Sequence, residues 1–218
     1  MSNDKLSLSR RHFLILPVFG LLPACSYYSQ AIRNMEGNVK INEQTATVNT
    51  TIKAGDIIAT GKQSIVSFVL GEDAFSLGEE STLQVIGQTH TESFFLRNSY
   101  AEDVSQSLRL LQGTLVSVFG KGNKRIVSPT ATIGIRGTGL CLNVGLKHTY
   151  FCTCYGETDI ITAAGQQQVS ATHHKAHIIS HDTMPVITSG DRKHHTDENL
   201  NYLESLVGRQ TPIKFRQN

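Results

Sequence analysis

The chain reads as an all-β protein, a roll or sandwich of short strands with a single C-terminal helix. Three observations carry that reading. From Val39 onward, short apolar or β-branched runs recur every 8 to 12 residues between turn signals. No alternation of strand and helix patterns appears, which argues against a doubly wound sheet. Only the tail shows helical spacing. Composition agrees: 218 residues suit one or two domains, and an apolar share of 39 % excludes compositional disorder. The charged share of 17 % lies below the roughly 25 % of an average soluble protein.

The elements follow in order. Val39-Lys40-Ile41-Asn42 alternates apolar and polar, and Ile57-Ile58-Ala59-Thr60 follows the Gly55-Asp56 turn. Ser64–Leu70 is a nearly continuous apolar run, broken by Gly71-Glu72-Asp73 and answered by Ala74–Leu77 as a hairpin partner. Thr82–Val85 is a further strand, and the polar stretch 87–105 reads as an insertion or loop. Leu108–Leu111 and Thr114–Phe119 flank Gly113, and Gly120–Lys124 reads as a turn with solvated lysines. Arg125-Ile126-Val127 leads into Pro129. At the tail, Thr196 or Asp197 caps a helix whose apolar stripe is Leu200, Leu203 and Leu206-Val207. Gly208 stands at its C-terminal stop.

The first residues read as an address. Ser9-Arg10-Arg11-His12-Phe13-Leu14 resembles the twin-arginine export signal, with Arg10, Arg11, Phe13 and Leu14 as its marked positions. A short apolar run to Leu22, interrupted by Pro17 and Gly20, suits an export segment and not a membrane span. Leu22-Pro23-Ala24-Cys25 resembles a lipobox, which implies a diacylglyceryl group on Cys25. The expected division is an export signal over 1–24, a lipidated cysteine and tether over 25–37, a β domain over 38–190, and a helix with tail over 191–218. Residues 1–24 carry the whole formal excess of +2 charges, as Lys5, Arg10 and Arg11 against Asp4. The remainder is neutral, which argues against nucleic-acid binding by counterion release.

A family resemblance enters in the middle of the chain. Gly55-Asp56-Ile57-Ile58-Ala59-Thr60-Gly61, with Leu77-Gly78 and Ser81, resembles the opening of the FecR domain. Leu110–Leu115 and Pro129-Thr130-Ala131-Thr132-Ile133-Gly134-Ile135-Arg136-Gly137-Thr138 resemble that family's most distinctive blocks. The resemblance spans about residues 38–180 and implies an extracytoplasmic module that receives signals. The anti-sigma region and membrane-spanning helix of the best-known members have no counterpart in these 218 residues, so sigma-factor regulation is not carried over. Gly134, Gly137 and Gly139 suit tight turns or close strand approach. Arg136, set among apolar and glycine residues, is expected to be buried and to tie loop carbonyls or a carboxylate together, with Thr138 in the same structural motif. The glycine order is not the dinucleotide fingerprint, and Gly120–Lys124 is not a P-loop.

Cysteines and histidines form the one chemical constellation. Leu140–Val144 and Thr149–Tyr155 read as a hairpin whose paired residues sum to 293, which sets Cys141 opposite Cys152. Cys152 and Cys154 share a face, because side chains alternate along a strand. Val169–His181, read as one strand, brings His173 or His174 beside this patch, with His173 and His177 about 13 Å apart. Three readings stay open. An exported protein favours a Cys141–Cys152 disulfide with Cys154 left over. Cys141, Cys152, Cys154 and His173 or His174 form a metal set for zinc, iron or copper(I). A reactive thiol is the third. His148, His194 and His195 are expected in solvent.

No serine-hydrolase, zinc-protease or EF-hand motif is present, so no enzyme is expected. The expected function is that of a non-catalytic binding or sensing module on the periplasmic side of the cell envelope. It is membrane-bound through its lipid and meets an envelope protein or glycan. The alternative is a metal-binding or thiol-redox envelope protein built on the cysteine patch.

Overall fold

The computed structural model describes residues 30–89 and 104–213. The export residues Arg10, Arg11, Phe13 and Leu14 and the lipidation residue Cys25 lie outside them. Fourteen strands and one helix follow one another: β1 (Ala31–Glu36), β2 (Val39–Ile41), β3 (Gln44–Thr45), β4 (Ile57–Thr60), β5 (Ile65–Leu70), β6 (Asp73–Leu77), β7 (Thr82–Thr89), β8 (Val104–Val118), β9 (Asn123–Val127), β10 (Thr132–Val144), β11 (His148–Thr162), β12 (Gly165–Ala171), β13 (Lys175–Ser180), β14 (Ile187–Gly190) and α1 (Asp197–Leu206). The fold is all-β with one C-terminal helix. All strands belong to one connected sheet, antiparallel throughout except for the β8–β9 pair.

Two apolar layers form on the two faces of this sheet. The main core gathers Ile32, Phe68, Phe75, Leu83, Leu110, Ile133, Leu142 and Phe151, all fully buried. A second layer packs α1 on the outer face, with Leu200, Leu203 and Val207 against Val69, Val116, Tyr150 and Cys152. The hairpin β10–β11 pairs as the sequence spacing predicts: Cys141 opposes Cys152, Leu142 opposes Phe151, and Val144 opposes Thr149. Period-two alternation sends Leu140, Leu142 and Phe151 to the main core and Cys141, Cys152 and Cys154 to the outer layer.

Helix α1 is capped as the sequence indicates. Thr196 is the N-cap, its hydroxyl accepting the Asn199 N–H, and the Asn199 side chain answers the Thr196 N–H. Gly208 follows with φ +66°. Beyond it, Arg209 donates to the Glu204 carboxylate at 2.5 Å and to the Glu72 carbonyl at 2.6 Å, which anchors the C-terminal segment to the β5–β6 hairpin. The Tyr155 hydroxyl, from the sheet, also bonds Glu204.

Several expectations change. Ala31–Glu36, expected within the tether, is a strand that pairs with β5 and buries Ala31 and Ile32. Strands β7 and β8 reach Thr89 and Val104, inside the loop expected over 87–105, and residues 90–103 lie outside the described part. Leu108–Val118 belongs to one strand and not two. Lys124 is not solvated. It is buried on β9 and paired with Asp73, which also accepts the Gly120 N–H at 2.8 Å. Burial pushes the Asp73 carboxyl up, and Lys124 opposes that shift; each charge is tolerable there because of the other. Val169–His181 is not one strand. It breaks between Ala171 and Lys175, where His174 takes φ +39°.

Candidate metal centre and binding groove

The break at His174 decides the chemistry. In a continuous strand, His173 and His174 would point to opposite faces. The left-handed turn instead folds the His174 ring inward, 6 % exposed, while His173 stays out at 55 %. His174 Nδ1 lies 3.7 Å from Cys152 Sγ. The fourth member is His195, in the loop that enters α1: its Nε2 lies 3.2 Å from Cys154 Sγ and 3.1 Å from His174 Nδ1. The ligand atoms of Cys152, Cys154, His174 and His195 all fall within 4.8 Å of one another.

The set therefore differs from the expected one at two places. Cys141 is buried opposite Cys152 in register but is not among the converging donors, and His195, expected in solvent, is buried. His173 stays outside the four-donor set, 3.6 Å from Asp197 and edge-on to the His174 ring at 4.5 Å. The three cysteines among the described residues are free thiols, without the Cys141–Cys152 disulfide; the Cys152 sulfur engages Cys154 and His174 instead. No local sequence signal marks His195, which directly precedes the N-cap of α1 and is buried only because that helix docks on the cysteine face.

The electrostatics of the cluster are uneven. A hydrogen bond from Cys154 pulls the Cys152 thiol down to about 3 against the effect of burial, with His174 and His195 adding to the fall. Burial and the neighbouring Cys152 push Cys154 up, and burial pushes Cys141 up. Burial disfavours a charged His174, but hydrogen bonds to Cys152 and Asp197 outweigh it and raise this imidazole. Outer partners fix both rings. His174 Nε2 meets Asp197 Oδ1 at 2.6 Å, and Arg192 braces the same oxygen at 2.9 Å. His195 Nδ1 meets the Lys193 carbonyl at 2.8 Å.

The glycine–arginine block shapes a second region. Thr132, Gly134 and Arg136 of β10, Arg125 of β9, Asp159 and Ile161 of β11 and Gln166 of β12 line an open groove of about 330 Å³. Arg136 is not buried. Its side chain is 58 % exposed, with Asp159 Oδ2 as its partner at 3.6 Å. It stays in solvent because its strand position faces away from the core, where Ile133 and Ile135 point. The expected carboxylate partner is present, and the enclosing carbonyls are not. Thr138 is structural: fully buried, its hydroxyl sits 2.9 Å from the Glu157 carbonyl and 3.0 Å from that of Arg136. Gly137 has φ +57°, and a Cβ on Gly139 would lie 2.3 Å from the Tyr155 ring, so both glycines are required where they stand.

The fold is similar to two crystal structures of candidate anti-sigma factors from Parabacteroides distasonis ATCC 8503. One aligns with a TM-score of 0.50 at 7 % identity over 68 % of this chain and 64 % of that one. The other has a TM-score of 0.49 at 9 % identity over 63 % and 60 %. This chain thus spans less than two thirds of either neighbour. No protein-family model and no curated protein sequence matches the chain.

Proposed function

We propose that the chain is an exported, lipid-anchored binding module of the FecR type, non-catalytic and working on the periplasmic side of the cell envelope. One observation carries this reading. The stretch that resembles the FecR signature, 129–138, is also the stretch that floors the open polar groove beside Arg125, Arg136 and Asp159. The exposed Arg136 guanidinium, paired with Asp159 at 3.6 Å, offers donors to an acceptor-rich ligand. An envelope protein or glycan with carboxylate or hydroxyl acceptors suits such a surface. The likeness in fold to a candidate anti-sigma factor supports a regulatory setting of this kind.

Site-specific photo-crosslinking in intact cells tests the reading. A photoreactive residue at Gln166, in the groove, should give a discrete adduct, and one at Leu146, fully exposed on the β10–β11 turn, should not. Equal labelling at both positions, or none at Gln166, rejects the groove as the recognition surface. In the same cells, Cys25→Ser should release the protein from the membrane fraction, and Arg10→Lys/Arg11→Lys should hold it in the cytoplasm. Unchanged fractionation of either variant rejects that part of the address.

A further inference from the structure

The binding role makes no use of the buried cluster, yet the cluster has a specific chemistry. The Lys193 carbonyl can only accept a hydrogen bond, so His195 Nδ1 carries the proton and Nε2 presents a lone pair. The Asp197 carboxylate acts likewise on His174 Nε2, so that in the neutral ring His174 Nδ1 presents the lone pair. These two nitrogens and the sulfurs of Cys152 and Cys154 all lie within 4.8 Å of one another. For zinc–sulfur bonds of about 2.3 Å and zinc–nitrogen bonds of about 2.0–2.1 Å, a tetrahedron has sulfur–nitrogen edges of about 3.5 Å and a nitrogen–nitrogen edge of about 3.3 Å. Two of the four sulfur–nitrogen edges measure 3.2 and 3.7 Å and the nitrogen–nitrogen edge 3.1 Å, and the remaining edges are within 4.8 Å. The outer contacts to Asp197 and to a backbone carbonyl are those that orient imidazole ligands in metal sites.

The three elements that supply the donors are otherwise far apart in sequence. Cys152 and Cys154 lie on β11, His174 lies in the β12–β13 turn, and His195 stands one residue before the α1 N-cap. Helix α1 has ten residues, too short to be stable alone in water. We propose that Cys152, Cys154, His174 and His195 bind one zinc ion in a closed tetrahedral site, and that this ion clasps the C-terminal helix onto the outer face of the sheet. Four protein ligands leave no position for a substrate, so the site is structural. The clasp is independent of the groove and of the proposed envelope role.

The test uses the full chain purified in detergent. Elemental analysis should find about one zinc per chain. Reconstitution with cobalt(II) should give the visible spectrum of a tetrahedral two-sulfur, two-nitrogen site. His195→Ala and Cys154→Ser should each reduce the bound zinc to near zero, whereas Cys141→Ser and His173→Ala should keep it. Circular dichroism showing an intact β signal separates loss of metal from loss of fold. Hydrogen exchange then reads the clasp: a chelator should speed exchange of the amides of α1 by at least tenfold and leave the β10–β11 amides protected. Folded wild-type protein that takes up no zinc, holds iron or copper in preference, or keeps its zinc in His195→Ala overturns the site. Bound zinc whose removal leaves α1 exchange unchanged overturns the clasp.

Discussion

Both regions sit on the outer face of the same two strands, and they have opposite characters. At one end of β10–β11, Arg136, Asp159 and Ile161 border an open groove; at the other, Cys152 and Cys154 are fully buried. A bulge separates them. Between Arg136 and Leu140 the pairing with β11 shifts register, and Gly137 and Gly156 both take positive φ. Before the bulge the odd residues Ile133 and Ile135 enter the main core; after it the even residues Leu140, Leu142 and Val144 do. The outer face therefore continues across the bulge with its parity changed. Its two halves differ in what covers them: α1 lies over the cysteine half, and the groove half is open. One strand pair thus holds a closed cysteine–histidine cluster and an open, exposed groove on the two sides of one bulge.

Metal removal should break this contrast most strongly. A site with free zinc at about 1,000 times its dissociation constant stabilises the folded state by about 4 kcal/mol. For a chain of this size the melting midpoint should fall by about 8–16 °C on chelation, measured calorimetrically. Crosslinking from Gln166 in the groove should persist below the new midpoint. Loss of the groove signal together with the zinc would mean that the two halves are one unit.

Gly139→Ala should come next, since it presses on the boundary itself. Its new Cβ would meet the Tyr155 ring at 2.3 Å, and overpacking of that kind costs about 1–3 kcal/mol. The urea midpoint should drop accordingly, with faster hydrogen exchange in α1, because Tyr155 carries the hydroxyl that holds Glu204. An unchanged midpoint would show that the ring can move without disturbing the helix.

How these regions were legible from sequence depends on the range of the signal. The Cys141–Cys152 register could be read because a short turn and period-two alternation are local rules, and both strands obey them. Helix α1 could be read from Thr196 and Gly208, again within a dozen residues. His195 could not, because its burial depends on where a helix 41 residues away from Cys154 docks. The sequence does not choose between His173 and His174, because one positive φ at His174 removes the alternation on which that choice depends. Arg136 misled for a related reason. Its apolar neighbours Ile133 and Ile135 are core residues, and the arginine alternates with them to the solvent side. Lys124 looks solvated among glycines, yet Asp73, 51 residues earlier, draws it inside.

Tyr155→Phe sharpens the comparison on the closed side. It deletes one hydrogen bond to Glu204, whose other oxygen still accepts from Arg209. A loss of about 0.5–1.5 kcal/mol in urea unfolding is expected. Zinc content should not change, since the Tyr155 hydroxyl is not among the metal donors. Coupled loss of zinc would extend the cluster to the helix's far end.

Arg136→Ala should have the smallest effect on stability and separates the open half from the closed one. Its pairing with Asp159 is exposed and long, and such pairs are worth about 0–1 kcal/mol. The melting midpoint and the zinc content should therefore stay within error of wild type. Crosslinking from Gln166 should fall several-fold, because the guanidinium is the groove's most exposed donor of charged hydrogen bonds. Arg136→Lys should recover only part of it, since an ammonium keeps the charge but lacks the planar fork that matches a carboxylate. A large loss of stability in Arg136→Ala would instead make this arginine architectural, and the groove would lose its standing as a recognition surface.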